Sequence, residues 1–237
     1  MSSHRTAAVL AGTFFIVAAV AAVFALALYQ PVLNDPSYVV SRSGADTQVL
    51  LGALFEVLVA ISVIGTAITL YPVVRKQNET TALGYVAGRT TEGVVIVVGI
   101  ISLIAIVSLR SDYAGVGGAA AVSAIAIGKT LVAVHNWTFL FGPNLALGWN
   151  TSLLAFLMYR SRLVPRPIAI LGLIGGPVIF ASGTAELFGL YTQTSTFGAI
   201  TAIPVAAWEM SLALWMIIRG FRPKAVAAIH ARYASAA

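Results

Sequence analysis

The 237-residue chain contains no cysteine, which excludes a disulfide framework, a thiolate metal site and a cysteine nucleophile. Charge is nearly as scarce: Asp, Glu, Lys and Arg make up 9% of residues, against roughly 25% in a soluble domain. So few charges cannot cover a surface that faces water. Histidine occurs three times, and two of the three, His4 and His230, lie near the termini, so His135 lacks the company that a three-His zinc site needs. The sequence implies no metal and no cofactor. No polar stretch is long enough to hold a second folded unit, so residues 1–237 read as one transmembrane domain, with 224–237 as a basic cytoplasmic tail.

What the chain has in abundance is apolar. Hydrophobic residues make up 59% of it and the mean hydropathy is +0.93, the composition of an integral membrane protein. A span needs about 20 apolar residues, and the pattern predicts spans at 7–29, 49–74, 82–109, 168–191 and 199–218. The stretch 118–159 is ambiguous. It holds either two crossings broken near Gly142-Pro143, or one crossing at 137–159 preceded by a helix that does not cross.

The placement of basic residues decides between these, because Lys and Arg near span ends favour the cytoplasmic side. With one crossing, Arg5, Arg75, Lys76, Arg160, Arg162, Arg166, Arg219, Arg222, Lys224 and Arg232 all face the cytoplasm, and only Arg42 and Arg110, with Lys129 on the outer helix, face out. With two crossings the whole basic C-terminus moves outside. The sequence therefore predicts an all-α polytopic integral membrane helix bundle of six spans, with seven as the alternative. Both termini are cytoplasmic, and 118–134 is an outer interfacial or re-entrant helix. The first apolar run exceeds the roughly 7–15 residues of a signal-peptide core, so it reads as a retained signal anchor. A net charge of +6 would suit nucleic acid, but these charges sit at the ends of apolar runs, where they orient a membrane protein. Membrane lipids are the expected partners, nucleic acid is not, and the expected location is a bacterial inner or plasma membrane.

Against that background half of the eight acidic residues are out of place: Glu56, Glu92, Glu186 and Glu209 interrupt apolar runs, joined by Arg89. A charged group at bilayer depth costs about 2.5–3.5 kcal/mol even on lenient insertion scales, so it faces a protein-lined cavity or a partner. Arg89 and Glu92 are three residues apart, share a helix face and can pair. Glu56, Glu186 and Glu209 have no opposite charge at helical spacing on their own helices. These three carboxyls, with His135 at the outer mouth of the fourth span, are the candidate acid/base groups. Arg89, Glu92, Asn144, Asn150, Trp149 and Trp208 are the candidate substrate-binding residues, although Asn144 and Asn150 also suit a role as polar glue between helices. The expectation is one cavity opening outward, floored by Glu209 and the Arg89/Glu92 face, with Trp149, Trp208 and Phe188 shaping its apolar wall.

The order of Glu56, the Gly88-Arg89-Thr90-Thr91-Glu92 segment, His135-Asn136-Trp137, Phe141-Gly142-Pro143-Asn144 and the run from Tyr159 to Arg166 resembles a bacterial family of small polytopic membrane proteins catalogued only as a domain of unknown function. The resemblance implies the topology and supplies no reaction. Two functions fit the residues: an enzyme using buried Glu groups on a lipophilic substrate, a lipid or isoprenoid in the manner of a terpene cyclase, or a proton- or cation-coupled transporter. A non-catalytic accessory subunit is the third.

Overall fold

The computed structural model describes residues 3–42 and 44–235; Ala236 and Ala237 of the predicted tail lie outside the described residues. The elements in chain order are α1 (Ser3–Leu28), α2 (Gln30–Asn34), a 3-10 turn (Tyr38–Val40), α3 (Asp46–Val74) and α4 (Glu79–Tyr113). There follow α5 (Gly118–Leu140), a π-helical segment (Phe141–Ala146), α6 (Leu147–Ser161), α7 (Arg166–Leu187), α8 (Thr196–Ile218) and α9 (Pro223–Ala234). Among the described residues six helices, counting 118–161 as one, are long and apolar enough to cross a bilayer. The chain is an all-α polytopic bundle, as its composition predicts.

The helix boundaries follow from local chemistry. Asn78 caps α4 by accepting from the Thr81 amide at 2.9 Å, and Ser195 caps α8 through the Gly198 amide at 3.2 Å. Proline occupies the first turn of α7 and α9, where its missing N–H costs nothing. At the other end of α8, Arg5 reaches across from α1 and donates to the carbonyls of Met216 and Ile217 at 3.1 and 2.6 Å. The Met216 carbonyl also accepts from the Gly220 amide at 3.1 Å, and a cation at these last carbonyls meets the negative end of the helix dipole.

The spans pack in a ring: α1 on α3, α3 on α4, α4 on α6, α6 on α7, α7 on α8, and α8 back on α1. Inside are two apolar cores. One, toward the basic end, includes Phe15, Leu70, Tyr85, Leu154 and Trp208; the other, toward the opposite end, includes Tyr29, Val49, Ile100, Leu103 and Ile106. On α4 the change from one core to the other falls at Arg89 and Glu92. The outside of the ring is apolar too, with Val23 69%, Ile68 64% and Ile218 65% exposed, a surface that suits hydrocarbon.

The segment 118–134 is neither re-entrant nor separate from the fourth span. Helix runs without interruption from Gly118 to Ser161, 44 residues or about 66 Å, twice the ~30 Å hydrocarbon thickness. An unbroken helix of that length suits a single crossing, and its first part lies along the far end of α4, itself 35 residues long and likewise longer than the hydrocarbon is thick. There Arg110 pairs with Asp46, and Asp46 accepts from Tyr38 at 2.7 Å. Burial and that hydrogen bond push the Tyr38 hydroxyl well above its ordinary range, so it stays a donor.

Glycine permits a close backbone approach between α6 and α7. A Cβ on Gly148 would lie 2.8 Å from the Gly176 carbonyl oxygen, and one on Gly176 would lie 2.9 Å from the Gly148 oxygen. Gly176→Val is therefore expected to lower stability by about 1–3 kcal/mol through overpacking, read as a lower unfolding midpoint in detergent. Gly117→Val, where an added Cβ meets nothing within 4 Å, should change the midpoint little.

Candidate functional site

Polar groups buried in an apolar bundle seek partners inside it, and the candidate acid/base and polar binding residues fall into three groups. The first joins Tyr29, just past the end of α1, to α3 and α5. The Tyr29 hydroxyl donates to Glu56 Oε2 at 2.9 Å, and His135 Nε2 stands 3.7 Å from Glu56 Oε1. Gly52, one turn before Glu56, makes this possible, since a Cβ there would sit 2.9 Å from the Tyr29 ring. Tyr29 and Phe139 contact the His135 ring, edge-on at a centroid distance of 5.6 Å and stacked at 6.3 Å. Both ring nitrogens of His135 are buried, and neither has a hydrogen-bond partner among the described residues. The 3.7 Å separation from Glu56 exceeds a hydrogen bond.

The second group gathers around Glu186 and depends on the π segment. Pro143 has no N–H to give to the carbonyl four residues back, that of Phe139. Instead of breaking, the helix widens into a π turn, and the freed oxygen accepts from Gln193 Nε2 at 3.2 Å. The same amide donates to Asn144 Oδ1 at 3.1 Å, and Asn144 Nδ2 donates to Glu186 Oε2 at 2.8 Å. Glu186 Oε1 accepts from Ser182 at 2.9 Å, and Tyr191 and Thr201 hydroxyls complete the network at 2.8 Å from Ser182 Oγ. The α7–α8 loop is thus tied to the π turn by one side chain. Gln193→Leu removes both of its bonds and leaves the Phe139 oxygen unpartnered, a cost of about 1–3 kcal/mol. Faster hydrogen exchange confined to residues 188–195 is the expected result.

The third group is the ion-pair network. Arg89 Nη1 lies 3.2 Å from Glu92 Oε2, as the spacing predicts, and Nη2 lies 2.7 Å from Glu209 Oε1 on α8. Asn150 on α6 donates to Glu92 Oε2 at 2.7 Å, and the Phe15 ring of α1 stands 5.2 Å from the guanidinium. The network therefore ties four helices together, α1, α4, α6 and α8. Glu209, which has no partner on its own helix, finds one on α4.

A cavity of about 650 Å³ lies under the α7–α8 loop, at the end of the bundle opposite the basic residues. His135 and Glu186 both line it, with Trp137, Phe139, Tyr191 and Gln193. A smaller cavity of about 40 Å³ lies beside it between Tyr29, Glu56, His135 and Pro143, so His135 forms part of both walls. The expectation of a single cavity floored by Arg89, Glu92 and Glu209 is therefore corrected: none of the three lines either cavity, because their charges close on one another. Asn144 belongs to the Glu186 network and Asn150 to the ion-pair network.

The aromatic wall is also different from the predicted one. Trp149 points outward and is 56% exposed, Phe188 sits exposed at the helix end, and Trp208 is fully buried against the position of Gly172. The aromatics that do line the larger cavity are Trp137, Phe139 and Tyr191. Tyr29, Ser182, Tyr191, Gln193 and Thr201 escape a reading of the sequence that weighs only charge, since each is uncharged. Among the described residues no three of His, Asp and Glu converge as metal ligands would.

Compared with known proteins, residues 10–220 match a family model described as a domain of unknown function, DUF4386. No curated protein and no solved structure matches the chain.

Proposed function

The chain belongs to the DUF4386 family, and from that premise we propose that it is a membrane-embedded enzyme performing acid–base chemistry on a lipophilic molecule held in the larger cavity. One observation carries the reading: the imidazole of His135, with both nitrogens unpartnered, stands between that cavity and the carboxyl of Glu56. A buried donor or acceptor left open costs about 1–3 kcal/mol, and groups held open in this way at a cavity wall are what a reacting molecule would engage. In this reading His135 exchanges a proton with the bound molecule, and Glu56, held by Tyr29, stabilises the imidazolium.

The rest of the cavity supports the same assignment. Leu26, Leu33 and Leu140 offer an apolar wall, and Glu186 with its Asn144 and Ser182 donors marks the polar end. The finer version is isoprenoid chemistry. A proton delivered to an alkene or epoxide creates a carbocation, the faces of Trp137 and Phe139 stabilise it, and a proton lost from a neighbouring carbon returns to the same pair. The proton count then balances with no other reactant.

The test is a comparison of membrane lipid extracts from cells expressing the wild type, Glu56→Gln and His135→Asn at equal levels of inserted protein. A lipophilic species consumed or formed with the wild type alone supports the proposal. Identical extracts from all three overturn it.

A further inference from the structure

At the end of the bundle opposite the cavity, three stretches far apart in sequence close around a cleft of about 160 Å³. Lys76 and Gln77 come from the α3–α4 turn, Arg160 and Ser161 from the end of α6, and Arg232 from α9. Helix α9 is fixed in place rather than hanging free. Ala225 and Ile229 join the apolar core, the Arg222 amide donates to the Leu163 carbonyl at 3.0 Å, and His230 lies 3.1 Å from Lys76 Nζ and edge-on to His4.

The cleft therefore assembles three cations, and no Asp or Glu lines it. None of the three takes part in an ion pair among the described residues. Gathering like charges without a counter-charge is unfavourable, yet the fold orders α9 so as to do it. The second observation is Gln77, whose amide oxygen and nitrogen are both buried at the cleft with no hydrogen-bond partner among the described residues. A cleft of this size holds several waters, each needing roughly 30 Å³, or one tetrahedral oxyanion.

We propose that this cleft is a phosphate-binding site, in which Lys76, Arg160 and Arg232 neutralise the anion and the Gln77 amide donates to one of its oxygens. The ligand chemistry is that of an anionic phospholipid headgroup or of free phosphate. The depth of the cleft at the basic end of the spans, where headgroups lie, suits the former. Ligand binding would also fasten α9 to the bundle, because Arg232 and the α3–α4 turn would share one anion.

The test uses the full chain purified in detergent, with native mass spectrometry after exchange into phosphatidylglycerol or phosphatidylcholine discs. The proposal expects one phosphatidylglycerol retained by the wild type, at least tenfold less by the double variant Lys76→Gln/Arg160→Gln, and at least threefold less by Gln77→Leu, which changes no charge. Arg219→Gln, on the same face but outside the cleft, should retain lipid as the wild type does. Lys76→Arg/Arg160→Lys should restore retention and so separates lost binding from lost folding. A parallel arm measures thermal unfolding in sodium phosphate against sodium chloride at equal ionic strength. Stabilisation by phosphate in the wild type and not in Gln77→Leu assigns the site to free phosphate, whereas lipid retention without that effect assigns it to the headgroup. If Gln77→Leu and the double variant behave as the wild type in both arms, or Arg219→Gln loses lipid equally, the site is only a diffuse basic surface and the proposal fails.

Discussion

Arg89→Leu is expected to lose most of its folded protein, at a cost of about 3–5 kcal/mol, the penalty for removing one partner of a buried charge network. The guanidinium is 2% exposed and joins Glu92 at 3.2 Å to Glu209 at 2.7 Å, so its loss leaves the buried Glu92 with only Asn150 as a donor and the half-buried Glu209 with none. Arg89→Lys should lie in between, because an ammonium cannot reproduce the fork that reaches both carboxylates. The triple variant Arg89→Leu/Glu92→Gln/Glu209→Gln removes charge of both signs together and should recover most of the stability, since a buried ion network contributes little beyond an apolar replacement. Inserted yield and unfolding midpoint measured on all three variants check this. A folded, wild-type-like Arg89→Leu would mean that the network does not hold α4 and α8 together.

This network shows how far the sequence reaches. Arg89 and Glu92 lie three apart on one helix, and helical geometry alone predicts their contact. Glu209 is 120 residues from Arg89, and their contact depends on where α8 packs against the ring, which single-helix spacing does not encode. The six spans were legible because bilayer thickness fixes the length of an apolar run, and the placement of basic residues favoured one crossing over two for 118–159, where one helix runs from Gly118 to Ser161. What that pattern could not tell was the fate of Gly142-Pro143. A proline in a helix frees one carbonyl, and whether the helix breaks depends on a donor arriving from elsewhere. Here the donor is Gln193, on a loop 54 residues beyond Phe139, and the helix continues as a π turn.

The candidate site was legible only in its charged members. Glu56, Glu186 and His135 stand out of an apolar sequence, and the fold brings His135 to Glu56 and to the cavity that Glu186 lines. Their supports are neutral: Tyr29 beside Gly52, Ser182, Tyr191 and Gln193. Tryptophan misleads because it serves lipid contact, helix packing and ligand walls alike. Trp149 takes the first role and Trp208 the second, and Trp137 lines the cavity.

Glu56→Gln keeps an oxygen for the Tyr29 hydroxyl while removing the negative charge that would stabilise an imidazolium, and His135→Asn removes the proton-exchanging group itself. General acid–base groups contribute about 10²–10⁴ in rate, so each variant should fall by that factor, with the double variant little worse than either, because the two act as one unit. Glu209→Gln, paired outside the cavity, should change turnover far less once the amount of folded protein is matched. The most direct measurement is turnover by purified protein in lipid discs, using the lipophilic species that the wild type consumes. The expected result is conversion by the wild type, a loss of about 10²–10⁴ in kcat for both Glu56→Gln and His135→Asn, and substrate binding retained by both. Conversion at the wild-type rate by either variant, or none by the wild type, would contradict it.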